Sequence, residues 1–218
     1  ENIVSEYTHE QAVLDGVNVG YDEYLIETKI GQEGATILAG DNIQRREKLS
    51  RRERWELLDE EETYTAGKLD RDVVNPSQIR RVITTFRDKL PEMFPHRKEV
   101  PKTLIFAKTD SHAEDIIRMV RDVFDEENEF CKKITYQSKE APKSVLAQFR
   151  NEYYPRIAVT VDMIATGTDI KPLECLLFMR DVKSRNYFEQ MKGRGTRTLD
   201  FDDLKKVTPS ASSGKTHF

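Results

Sequence analysis

Cysteine is scarce, long apolar runs are missing and net charge is small, and each shortage removes a class of protein. Two cysteines in 218 residues, Cys131 and Cys175, stand far apart and form no Cys-x-x-Cys pair. That usage fits a reducing compartment better than a disulfide framework, and the plain reading of both is a small buried hydrophobe. No apolar stretch approaches the roughly 18 residues of a membrane-spanning helix. Lys plus Arg number 35 and Asp plus Glu 39, a net charge of −4. Bulk charge therefore announces no nucleic-acid partner, and any basic footprint must be local. The four histidines are scattered without zinc-ligand spacing. There is no Gly-x-Ser-x-Gly elbow and no His-Glu-x-x-His. The first residues, Glu1 to Glu6, make no signal peptide and include no initiator Met, so the chain is expected to be a piece of something larger.

What is present is enough for one core: 37% hydrophobic residues beside 34% charged ones. In the first part, Tyr24–Ile30 and Ala35–Leu38 flank Gly31-Gln32-Glu33-Gly34, which predicts a hairpin. Between Asp41 and Glu60, six basic side chains face six acidic ones. This balance predicts a solvated, salt-bridged helix over 43–59 rather than a nucleic-acid arm. Asn75-Pro76-Ser77-Gln78 opens a further helix, with Asn75 as cap and Pro76 in its first turn. Ile79, Val82, Ile83, Phe86 and Leu90 give it one buried face, and Pro91, Pro95 and Pro101 mark its end.

After Pro101 short strands alternate with helices. Thr103–Ala107 is a continuous apolar run, as a strand covered on both faces requires. Asp110 or Ser111 is expected to cap the next helix, whose inner stripe is Ile116, Ile117, Val120, Val123 and Phe124. Strands are predicted at 134–136, 156–161 and 176–179, with helices at 144–150 and 187–192. That alternation implies a parallel, doubly covered α/β sheet, in which ligands gather at the carboxyl ends of the strands.

Two stretches fall at those ends. Thr160–Ile170 runs from a strand into a small-residue loop, where Gly167 permits close approach and Asp169 offers a carboxylate. Alone, such a Gly-x-Asp is an ordinary turn signal. Gln190–Arg197 places Arg194 and Arg197 three apart among glycines. From Arg180 to Arg197 six basic residues stand against Asp181 and Glu189, a local excess of four in an acidic chain. Guanidinium forks at this spacing suit a phosphoryl group, although a surface Arg/Gly loop reads the same in isolation.

Together and in this order, the two stretches resemble motifs V and VI of superfamily-two helicases, the second with the full Gln-x-x-Gly-Arg-x-x-Arg pattern. Thr103–Thr109 resembles motif IV. The likeness is closer still to the motor (R) subunit of type I restriction enzymes, carried by Thr103–Asp115, Ala158–Ile170 and Phe178–Arg194. It is strong from Asp70 onward and weaker before Gly16. The resemblance implies an ATP-driven double-stranded DNA translocase with a nuclease domain and two RecA-like motor lobes, acting in the cytoplasm with methyltransferase and specificity subunits. This chain would supply residues 1–72 as an inter-lobe segment with hairpin and charged helix. Residues 73–218 would be the second RecA-like lobe, truncated at its last strand. ATP and Mg²⁺ would be bound mainly by the first lobe of the same chain. Arg194 and Arg197 would act as catalytic groups reaching the γ-phosphate; Gly167, Asp169 and Gln190 would line the nucleotide; Lys108, Thr109 and Thr160 would face the DNA backbone.

No Gly-x-x-x-x-Gly-Lys-[Ser/Thr] loop, Asp-Glu-x-His box or nuclease carboxylate cluster appears, so the chain by itself is expected to be inactive. Ser213-Gly214-Lys215-Thr216 mimics the end of a phosphate loop, but Pro209 stands where its first glycine belongs and no strand precedes it. It reads as the start of a final strand. Two alternatives remain: a lobe of another DNA repair or remodelling helicase, or a non-catalytic DNA-binding module with this fold.

Overall fold

A computed structural model describes residues 7–26, 76–135, 140–161, 169–180, 182 and 184–218, with the backbone of four short strands between 35 and 64. Its centre is a four-stranded, all-parallel sheet formed by β5 (Thr103–Phe106), β6 (Cys131–Lys133), β7 (Ile157–Thr160) and β8 (Cys175–Phe178), in the order β6-β7-β5-β8. The two inner strands, β5 and β7, are buried at every residue. Each sends alternate side chains to opposite faces, as the period of two requires. Ile105, Ile157 and Val159 meet Ile83, Phe86, Ile116 and Val120 from α2 (Pro76–Met93) and α3 (Asp110–Phe124). Leu104, Phe106 and Ala158 meet Val145 and Phe149 of α4 (Pro142–Asn151) and Met191 of α5 (Arg185–Lys192). Helices thus cover both faces, the three-layer α/β arrangement expected from the strand–helix alternation.

Several boundaries differ from expectation for local reasons. The cap of α3 is Thr109, not Asp110 or Ser111: its side chain accepts from the backbone N–H of His112. Asp110 is instead drawn to β6 and the segment after it, where it accepts from Thr135 Oγ1 at 2.9 Å and pairs with Lys133 at 3.0 Å. Pro91 lies inside α2, which continues to Met93 because the buried stripe Ile79, Ile83, Phe86 and Leu90 holds the last turn on the sheet. The second strand falls at Cys131–Lys133, three residues before its expected place, since Phe130 and Cys131 are the residues that the core buries.

The charged stretch 43–59 is a correction. Its described residues are strands, β2 (Asn42–Arg46) and β3 (Glu53–Leu57), paired antiparallel with Arg46 opposite Glu53 and Gln44 opposite Trp55. Balanced charge serves a cross-strand ladder as well as a helix face, and 43–59 lacks an apolar stripe of helical period. β1 (Ala35–Ile37) pairs with β4 (Glu62–Tyr64) outside them. The expected hairpin about Gly31–Gly34 lies largely outside the described residues, as does the cap at Asn75; Tyr24–Ile26 form no strand.

Candidate functional site

The carboxyl ends of β5, β7 and β8 open onto one edge of the sheet. After β5, the backbone N–H of Lys108 donates to His112 Nδ1 at 3.3 Å, and Thr109 caps α3, leaving this exit half-buried to exposed. Thr160, at the end of β7, does not reach the outside. It is buried, and its Oγ1 donates to the Ile134 carbonyl at 2.9 Å, joining β7 to the segment after β6. Of the residues expected at a DNA backbone, Thr160 is thus the one whose hydroxyl is engaged inside the sheet. Gly167 lies outside the described residues, whereas Asp169, half-buried, follows them into the segment that returns to β8.

The basic run after β8 divides by role. Arg180 donates to the Val161 carbonyl at 2.8 Å, and its guanidinium lies 5.9 Å from the Tyr187 ring, which ties the exits of β7 and β8 together. Ser184 caps α5 by accepting from Tyr187 N–H. Within α5, Met191 is fully buried and Lys192 is engaged with Glu189 at 2.8 Å and with the Tyr21 ring at 4.0 Å. Gln190 is exposed. The helix then ends in a tight turn whose N–H groups donate in succession: Gly193 to Glu189, Arg194 to Met191 and Gly195 to Lys192. Arg194 is half-buried and engaged with the protein.

Arg197 is different. It is exposed, and among the described residues no side chain pairs with it. Its backbone is nevertheless held: Val19 N–H donates to Thr196 O at 2.7 Å and Thr198 N–H to Val17 O at 3.3 Å. The segment that does this follows α1 (His9–Leu14), so residues distant in sequence wall a cleft beside the arginine. The cleft, about 430 Å³, is lined by Tyr7, Thr8, His9, Glu189, Lys192, Gly193 and Arg197 among others. A guanidinium with a fixed backbone and, among the described residues, no carboxylate partner has the chemistry to bind an anion. Both cysteines, by contrast, are buried; burial pushes the Cys131 thiol up to about 12 and Cys175 upward as well, which makes each a poor nucleophile.

Two participants escaped the reading by motif. One is the Val17–Asp22 segment. The other is Lys215, which lies in no strand–loop–helix: it is 5% exposed, and Leu199 and Lys215 form an isolated bridge in place of the expected strand. Burial lowers its pKa to about 8, while Glu174 and then Asp169 favour the charged form. Its neighbour Gly214 packs closely in turn: a Cβ there would stand 2.9 Å from the Leu199 carbonyl.

Residues 81–198 match the helicase conserved C-terminal domain family. The chain is 32% identical over 207 residues to the type I restriction enzyme EcoKI endonuclease subunit of Escherichia coli (strain K12), covering 89% of this chain. It is 30% identical over 140 residues to the type I restriction enzyme EcoAI endonuclease subunit of Escherichia coli, covering 62%. In each case the match spans 17% of the relative's length. Among solved structures, a fragment described as an HsdR subunit of a type I restriction enzyme from Vibrio vulnificus YJ016 aligns with a TM-score of 0.46 at 23% identity, over 61% of this chain and 26% of that one. The Pyrococcus furiosus Hef helicase domain aligns at 0.40 and 18%, over 61% and 25%.

Proposed function

Because the chain belongs to the helicase conserved C-terminal domain family and is homologous to type I restriction endonuclease subunits, we propose that it is the second motor lobe of such a subunit. In the whole protein it closes on ATP held by a first lobe and helps to move double-stranded DNA before cleavage, alongside methyltransferase and specificity subunits in the cytoplasm. The observation that carries this reading is Arg197, exposed and, among the described residues, without a side-chain partner, on a turn whose backbone is fixed on both sides. Phosphoryl transfer is accelerated mainly by positioning and charge stabilisation, and a guanidinium brought to the γ-phosphate contributes about 10³–10⁵-fold in rate. Arg194 and Arg197 supply that charge, Gln190 lies exposed on the same helix end, and Asp169 and Gly167 line the nucleotide edge. Mg²⁺ would be held by the first lobe and would neutralise phosphate charge there; the arginines here fit an anion, not a cation. Lys108 and Thr109, at the exit of β5, are the candidates for DNA-backbone contact.

The test is Arg197→Ala in the full-length protein. Basal and DNA-stimulated ATP turnover are expected to fall by about 10²–10⁴-fold, with DNA affinity in the absence of nucleotide little changed. Lys at this position rescues poorly, because it offers a point charge in place of a planar fork. Turnover within a few-fold of the parent would overturn the assignment. If DNA affinity and its salt slope fall while basal turnover survives, the turn is a DNA clamp instead. The chain by itself is expected to hydrolyse no ATP, having no phosphate loop. Turnover above background, abolished by a substitution within the chain, would refute that.

A further inference from the structure

The segment Ser213–Phe218 lies against the turn that carries the arginines, and its contacts converge on one residue, Gly195. The Lys215 ammonium donates to the Gly195 carbonyl and, at 3.2 Å, to the carbonyl of Lys171. Its backbone N–H donates to Leu199 O at 2.8 Å. The Phe218 ring covers Gly195 so closely that a Cβ on Gly195 would overlap it, and the same ring lies 5.2 Å from Lys215 Nζ. Phe218 is fixed in turn through Gly20 O, which accepts from its N–H at 3.0 Å, and through Asp22 N–H, which donates to its carbonyl at 3.0 Å. Gly195 follows Arg194 directly and precedes Arg197 by two residues, so whatever holds its carbonyl sets the course of the chain between the two guanidinium groups.

We propose that Lys215 is a positioning residue for Arg194 and Arg197, clamping the turn that carries them to the Asp169–Lys171 segment that returns the chain from β7 to β8. The inference rests on the reading of those arginines as phosphate contacts. Removing an ammonium from water is costly. Here that cost is offset by two carbonyls, with the carboxylates of Glu174 and Asp169 close enough to favour the charge. A solvated Arg/Gly loop needs no such group. A loop that must deliver two forks to one phosphate does, because a misplacement of about 1 Å can cost about 10²-fold in rate. Lys215 touches no substrate; it acts through the turn.

The experiment is a double-mutant cycle in the full-length protein. Lys215→Met, Arg197→Ala and the pair are compared by ATPase kcat and KM, with thermal midpoints measured alongside. Lys215→Met is expected to lower kcat about 10- to 100-fold, with KM for ATP within about threefold of the parent. On the Arg197→Ala background it is expected to add less than about threefold, since the group it positions is gone. Lys102→Met, another buried lysine, whose ammonium holds the carbonyls of Glu152, Tyr153 and Pro155 and none of the arginine turn, serves as the control for destabilisation and should leave kcat per folded molecule unchanged. Should Lys215→Met be recovered unfolded, Phe218→Leu puts the same question: half-exposed, it should lower kcat several-fold and show the same non-additivity. Unchanged kcat in the folded Lys215 variant, or effects that multiply with Arg197→Ala, would overturn the proposal while leaving the arginine assignment standing. If Arg197→Ala itself leaves turnover unchanged, the assignment and the proposal both fall.

Discussion

Arg156 is among the largest fully buried side chains of the lobe, at 1% exposure, and its removal should destabilise the protein without disturbing the arginine turn. Its Nε donates to Val100 O at 2.7 Å, Nη1 to Tyr153 O at 3.2 Å and also to Val207 O, and Nη2 to Thr208 Oγ1 at 3.0 Å. The guanidinium also lies 5.0 Å from the Tyr153 ring. One side chain therefore joins the approach to β5, the approach to β7 and the end of α6 (Phe201–Val207). Hydrogen bonds to a charged group contribute about 1.5–3 kcal/mol each, but burying the ion costs several kcal/mol, so their sum overstates its worth. Burial indeed lowers the Arg156 pKa, with Glu174 foremost among the groups opposing it. What decides the outcome of Arg156→Met is the set of carbonyl and hydroxyl acceptors left behind when the buried guanidinium is removed. A net loss of about 3–5 kcal/mol is expected. Arg156→Lys keeps the charge but cannot span acceptors on three segments, and should lose about 2 kcal/mol or more. Urea unfolding followed by circular dichroism measures both, the midpoint falling with little change in m. Because Arg156 stands at the amino end of the sheet, Arg156→Lys in the full-length protein should retain its ATPase kcat per folded molecule. A stability loss below about 1 kcal/mol in Arg156→Met would refute the argument, since it would mean that the orphaned carbonyls find other partners.

Two further outcomes are expected. Burial, and then the nearby Arg156 charge, push Lys102 down to about 6 from an ordinary 10.5. The folded chain then binds fewer protons than the unfolded chain between those values, so this group's contribution is complete above 10.5 and is lost as pH falls through about 6. The urea midpoint should climb from about pH 6.5 to 9.5, and less steeply in Lys102→Met; equal slopes would mean that the Glu152, Tyr153 and Pro155 carbonyls, which its ammonium contacts, keep the proton on. DNA binding by this chain should be weak, sequence-independent and steeply lost with salt, because only a local basic patch exists in a net-acidic chain. Fluorescence anisotropy across a salt series checks it, and tight binding to one sequence at physiological salt would refute it.

The inner strands were readable from the chain because burial on both faces demands continuous apolar runs, as at Thr103–Phe106 and Ile157–Thr160. The apolar stripe of α2 was readable for the corresponding reason, a helical period. The pair of site motifs was legible because their chemistry needs particular residue types a few positions apart. Where competing local solutions were close in energy, tertiary context chose between them. Thr109, Asp110 and Ser111 can each cap a helix, and the pull of Thr135 and Lys133 on Asp110 left the cap to Thr109. The balanced charges of 43–59 suit a helix face or a ladder, and pairing between Asn42–Arg46 and Glu53–Leu57 settled the described residues as strands. Thr160 carries a motif position, yet its hydroxyl is turned to Ile134 because an inner strand has no outer face. Lys215 was out of reach altogether: the carbonyls it holds, on Gly195 and Lys171, lie 20 and 44 residues away. No local periodicity records such a contact, because it exists only once the sheet has brought the three segments together.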